Sequence, residues 1–313
     1  MKARLVDRIV FWAARAAIGL ASRAPEFLGY GIAAALGRVY FRCSRRRQQC
    51  ALRFLRAAYP ELPERELLRI GRVATGEICK VPIDMAKLTR LLARGGSIRE
   101  VVAMDYALPK KPYLAVTAHL GSWEVAAATM ADAAGGAHAV ARTFKTPLMQ
   151  QWILHNRRSG GLHIHPRRGG IRPLAQALRE GGVGLQVVDQ HQRVRGVVAP
   201  FFGQLASCER AASTLALRGG YPVVVGSAIR VGRGFRFRMV FAPVLVPQPT
   251  GDRDRDLLAF VTALNGRLEW MIRQAPEQYL WIHDRFREGA RPAVVGELGD
   301  AAGEAEAGDD SDD

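Results

Sequence analysis

At 313 residues, 49% of them hydrophobic and 24% charged, the chain is long enough to bury a full core and too apolar to be disordered or fibrous. Its formal net charge is +16, although eight acids and no Lys or Arg lie between Glu297 and Asp313, so residues 1–296 alone carry +24. That excess excludes an acidic solvating protein and asks for an anionic partner: nucleic acid, a phospholipid surface or an acidic carrier.

Residues 1–60 hold twelve basic side chains and two acidic ones, Asp7 and Glu26. Arg15 and Arg23 interrupt the apolar runs, so this is not a cleavable signal. No uncharged stretch approaches the ~18–20 apolar residues of a spanning helix. Ile9, Val10, Trp12, Ala13, Ala16, Ala17 and Leu20 recur at helical spacing, with Arg8, Arg15 and Arg23 towards the other side. Pro25 separates this helix from a second, from about Phe27 to Arg42. An apolar stripe bordered by arginines is the pattern of a helix lying in a membrane interface, and Arg45-Arg46-Arg47 would suit anionic head groups. The competing reading is a pair of core-packing helices with solvated arginines.

Pro63, Glu64 and Glu66 open a further helix. Beyond Pro112 the pattern changes to short apolar or β-branched runs, "YLAVTAH", "GLQVVDQ" and "PVVVGSAI", bounded by Gly and Pro. Helical stretches at 123–134, 146–159, 171–180 and 207–218 lie between them. "FRFRMVFAPVLV" reads as an antiparallel strand, and a long helix follows it and ends at Pro276. The expected fold is therefore α/β, a mixed, mainly parallel sheet flanked by helices, with an N-terminal amphipathic helical segment. Its organisation reads as a membrane-associating segment over 1–60, a catalytic domain over 61–291 and an acidic disordered tail over 292–313. Cys43, Cys50, Cys79 and Cys208 form no C-x-x-C and no even framework, and read as scattered reduced thiols.

His119 ends a strand, which places it at the sheet edge where α/β proteins bind ligands. Gly121, Ser122 and Trp123 lead into the next helix, whose N-terminal N–H groups and dipole could support a developing oxyanion. Glu124 in its first turn could fold back and hold the His119 ring, the base and orienter that activate a hydroxyl for acyl transfer. The bland alternative is a structural His beside a solvated carboxylate. Asp189 and Gln190 also follow a strand, with Phe201, Phe202 and Gly203 beyond a basic loop. Phe pairs are usually core, although a Gly there leaves room for a ligand beside two rings. His163 and His165 alternate along a strand without a convincing third ligand, so no metal is expected.

"TAHLGSWE", "VVDQHQRVRGVVAPFFGQLAS", "LRGGYPVVVG" and "PEQYLWIHDRFR" together resemble the lipid A biosynthesis late acyltransferases of the lauroyl and myristoyl type, within the lysophospholipid acyltransferase superfamily. The resemblance runs from about Phe27 to Arg287. It implies a glycerolipid acyltransferase-like fold, His119 as general base and Glu124 as its orienter. It further implies substrate binding by Arg142 in "ARTFKTPLM", by Arg157 in "HNRRSG", and by Asp189, Gln190, Phe201, Phe202 and Gly203. For Asp189 a purely structural role, tying down the basic loop, stands open beside that one.

The implied donor is a fatty acyl thioester on acyl carrier protein or coenzyme A, with no bound cofactor, and the implied acceptor is a lipid with anionic head groups. The implied location is the cytoplasmic face of the inner membrane, peripheral or monotopic. Two departures put the acceptor's identity in question. An Asn expected before "Pro-Glu-Leu" is replaced within "ALRFLRAAYPEL", and Cys208-Glu209-Arg210-Ala211 stands where a Thr-Pro-x-Gly run is usual. The competing functions are the same chemistry on a lysophospholipid, glycolipid or aminolipid, a catalytically dead homologue, and a nucleic-acid-binding protein. The last expects aromatics interleaved with cations on a sheet face, which the sequence does not offer, so no nucleic-acid partner is expected.

Overall fold

The computed structural model describes residues 5–144 and 146–287; the expected tail over 292–313 lies outside them. The chain begins with α1 (Leu5–Arg23), α2 (Glu26–Cys43), α3 (Arg45–Ala58), α4 (Glu64–Ile78) and α5 (Val81–Ala93). There follow β1 (Val102–Ala103), β2 (Tyr113–Thr117), α6 (Trp123–Ala134), β3 (Ala137–Ala141), α7 (Pro147–Ser159), β4 (Leu162–Pro166), α8 (Ile171–Arg179) and β5 (Val183–Val187). The last elements are β6 (Val197–Phe201), β7 (Gln204–Cys208), α9 (Ala211–Gly219), β8 (Val223–Arg230), β9 (Phe237–Phe241) and α10 (Arg253–Arg273).

Seven strands form one sheet in the order β1-β9-β8-β2-β5-β3-β4. Every neighbouring pair is parallel except β8 with β9. Helices cover both faces, as a mainly parallel sheet requires, and alternate residues of β2 serve two separate cores. Leu114 and Val116 join Phe54, Leu174, Leu215 and Phe260 on one side. Tyr113 and Ala115 join Val125, Met130 and Tyr30 on the other. The alanines of α6 let that helix lie close against the sheet, and all residues from Glu124 to Ala131 are buried.

The helical stretch expected over 207–218 begins later, at Ala211. Its first residues belong instead to a two-stranded antiparallel hairpin, in which Val197 pairs with Cys208 and Phe201 with Gln204. Alternation in this "VVAPF"/"QLASC" pair is too short to separate from a helix start by pattern alone.

The N-terminal stripe faces outward. Phe11, Gly19 and Ser22 turn α1 towards the body of the protein, while Ile9, Val10, Trp12 and Leu20 are 60%, 61%, 58% and 72% exposed. On α2, Phe27, Leu28, Ile32, Leu36 and Val39 are exposed as well. Gly37 lets α2 press onto α4, because a Cβ there would stand 2.6 Å from the Thr75 carbonyl oxygen. The two helices are thus seated on the domain by one face each, and both leave an apolar face uncovered.

Candidate active site

The register of β2 against β5 builds the site. Thr117 pairs with Val187, so His119 and Asp189, each two residues further on, leave adjacent parallel strands at the same height. The Asp189 carboxylate accepts twice from His119, once from Nδ1 at 2.8 Å and once from the backbone N–H at 3.0 Å. Asp189 is 2% exposed at its side chain and His119 19%, so a buried anion backs an imidazole open on its other side. Burial alone would raise the Asp189 pKa, but the His119 charge and the bonds from its ring and backbone outweigh that and hold it below the usual range. An ionised Asp189 fixes the tautomer with hydrogen on Nδ1 and makes Nε2 the acceptor. Nε2 looks towards the amide of Gln190, 3.4 Å away, and the Trp123 ring lies 4.8 Å from the imidazole.

This corrects the expected role of Glu124. Its carboxylate is taken by Arg157 in a two-pronged contact, Nη2 to Oε1 at 2.7 Å and Nε to Oε2 at 3.1 Å, and Trp123 Nε1 donates to it at 3.2 Å. A guanidinium fork matches both carboxylate oxygens at once, while His119 Nδ1 is already occupied by Asp189. Arg157, expected to bind substrate, is in this structure the partner of Glu124.

Oxyanion support from the turn is corrected in part. The Gly121 N–H donates to the Gln278 carbonyl and the Ser122 N–H to the Ala228 carbonyl, both at 2.9 Å, so neither is available to substrate. Trp123 is the first residue of α6, where a helix leaves its N–H groups without an internal partner. Gly121 has a φ of +58°, and a Cβ there would meet the Ala228 carbonyl oxygen at 2.1 Å, so the turn tolerates only glycine.

Phe201 and Phe202 are 0% and 3% exposed and pack around Phe54, Trp281 and each other. Both rings are packed into the core. Gly203 is exposed at the tip of the β6–β7 hairpin, where the chain turns back through positive φ at Phe202 and Gly203. Arg142 stands exposed just past β3, on the same carboxyl edge of the sheet as His119.

Two groups escaped sequence reasoning. Tyr279 is buried beside Asp189, within side-chain hydrogen-bonding range, and burial together with that anion pushes its pKa well above the ordinary value. His283 accepts the His191 N–H at 3.1 Å, and burial lowers its pKa to about 4, which keeps a second imidazole near Asp189 neutral. The only available signal was the "PEQYLWIHD" string, whose meeting with the strand ends is not legible locally. His163 and His165 lie beside His138, with His138 Nδ1 3.0 Å from His165 Nε2. Among the described residues no group of three or more His, Cys, Asp or Glu is arranged to hold a metal ion.

A histidine backed by a buried carboxylate at the carboxyl edge of a mainly parallel sheet is an arrangement that can accept a proton from a hydroxyl. The family model for bacterial lipid A biosynthesis acyltransferases matches residues 1–288. The chain belongs to that family and is an acyltransferase. No curated protein matches it.

Proposed function

We propose that the protein is a membrane-associated O-acyltransferase that moves a fatty acyl group from a thioester to a hydroxyl of a lipid A precursor-type glycolipid. The observation that carries this reading is the 2.8 Å contact between His119 Nδ1 and a buried Asp189 at the sheet edge. His119 Nε2 takes the proton of the acceptor hydroxyl as its oxygen attacks the thioester carbonyl. Asp189 stays ionised and stabilises the imidazolium that forms. Collapse of the tetrahedral intermediate breaks the carbon–sulfur bond, and the departing thiolate recovers the proton from Nε2. In this reading the Gln190 amide and the Trp123 N–H donate to the developing oxyanion, and Arg142 meets it or an acceptor phosphate. Glu124 acts one step removed, by tying α6 to α7 through Arg157.

The uncovered apolar faces of α1 and α2 support a position at the membrane surface. No helix among the described residues is long and apolar enough to cross a bilayer. Such faces bury about 5–10 Å into the head-group boundary, where neighbouring arginines meet anionic lipid. An anionic surface, an anionic acceptor and an acidic acyl carrier protein would each suit residues 1–296 at +24, and we place the enzyme on the cytoplasmic face of the inner membrane.

Purified protein on anionic vesicles, given acyl carrier protein or coenzyme A thioesters with an under-acylated lipid A precursor or a lysophospholipid, tests this directly. Acylation of the lipid A precursor alone is expected; acylation of the lysophospholipid alone would reassign the acceptor.

A further inference from the structure

The loop bearing the base is held from an unexpected quarter. All four N–H groups from His119 to Ser122 are engaged, by Asp189, Ala118, Gln278 and Ala228 respectively. The His119 carbonyl accepts from the Leu280 N–H at 3.1 Å, and the Leu120 carbonyl from Ser227 Oγ at 2.7 Å. The turn is therefore clasped between the end of β8 and the segment 278–280, and Gln278 joins those two walls. Its backbone carbonyl takes the Gly121 N–H at 2.9 Å. Its side-chain Oε1 accepts the Arg230 N–H at 2.9 Å, and its Nε2 donates to the Arg230 carbonyl at 3.1 Å, as a neighbouring strand would. Arg230 is itself anchored: its buried guanidinium reaches Asp84 at 2.5 Å and lies 4.6 Å from the Tyr30 ring centre.

We propose that Gln278 is a positioning residue for acyl transfer, one that fixes His119 Nε2 by clipping the Gly121 turn to the anchored end of β8. Asp189 sets the tautomer and tilt of the ring, whereas Gln278 sets the height of the backbone that carries it. Reacting atoms must meet at about 3–3.5 Å, and a misplacement near 1 Å costs on the order of 100-fold. The inference rests on His119 being the base, so its test carries His119→Ala alongside.

Gln278→Met keeps the side-chain volume and removes both amide bonds; Gln278→Glu keeps the acceptor for the Arg230 N–H and loses the donor. Leu88→Ala, in the core on the other face of the sheet, serves as a variant that lowers the melting temperature away from the 278–280 segment. For each we would measure kcat, KM, melting temperature and amide hydrogen exchange of the peptide containing Gly121. The expected result is a loss of about 10- to 100-fold in kcat for Gln278→Met with KM within about threefold, a smaller loss for Gln278→Glu, and faster exchange at Gly121. A Gln278→Met kcat within twofold of wild type, or a loss that Leu88→Ala reproduces at equal melting temperature, overturns the proposal while leaving the acyl-transfer reading intact. Full turnover by His119→Ala would sink both together.

Discussion

Asp189→Asn removes a charge from the site with almost no change of shape, and its consequence follows from two donors. The His119 backbone N–H cannot change character, so the Asn carbonyl oxygen must stay with it. The Asn NH2 then faces Nδ1, which can bond it only as an acceptor. The ring hydrogen moves to Nε2, and the atom that should take the hydroxyl proton already carries one. General-base assistance is worth about 10²–10⁴ in rate, so kcat should fall by about that factor, with KM nearly unchanged because no substrate contact is lost. Glu124→Gln offers the contrast. It keeps the side-chain volume but sets an NH2 against one of the two Arg157 donors, and it leaves the His119–Asp189 contact intact, so kcat should stay within about tenfold of wild type while stability drops by about 1–3 kcal/mol. The assay is steady-state acyl transfer on vesicles, with folded content checked by circular dichroism. Asp189→Asn within tenfold of wild type, or Glu124→Gln costing more turnover than Asp189→Asn, would refute the assignment of the orienting carboxylate.

Further outcomes follow from the same structure. Trp12→Glu or Ile9→Glu should weaken sedimentation with anionic vesicles by about 10- to 100-fold each, since one apolar side chain in the interface is worth about 1.5–3 kcal/mol, while the fold is unaffected. Phe201→Ala should destabilise by about 3–5 kcal/mol by denaturant titration and leave KM unchanged; a large KM effect at full stability would return that ring to the ligand site. Protonation of His283 disfavours the fold, because its folded pKa of about 4 lies below the ordinary 6.5. Its contribution is complete above about pH 6.5 and is lost progressively down to about pH 4, up to about 3 kcal/mol. Melting temperature against pH should therefore decline over that window, and His283→Gln, which can still accept the His191 N–H, should flatten the decline. An identical slope in the variant would place the titration elsewhere.

The strands and most helices were legible because buried parallel strands read as short apolar runs and the helices carry their own start signals, as at Pro63-Glu64. The α/β class and the position of His119 at a strand end follow from those patterns alone. What the sequence withheld is register. Nothing local says that Thr117 stands opposite Val187, and it is this pairing that gives His119 to Asp189 rather than to Glu124, which is closer in sequence. Five residues of spacing suggested a fold-back that Arg157, on a different helix, forestalls. Gln278 and Tyr279 escaped notice because their role depends on a return of the chain across some 160 residues, for which "PEQYLW" holds no chemical signal. The outward stripe of α1 was readable as amphipathic; which side it would bury was not.

The most direct test of the account is mass spectrometry of membrane lipids from a strain lacking the gene, complemented with wild type or with His119→Ala at matched protein levels. The account predicts that wild type restores one acyl chain on a lipid A-type glycolipid and that His119→Ala leaves the under-acylated species in place. Full restoration by His119→Ala would contradict it, and would make the Asp189-backed histidine a structural element of the fold.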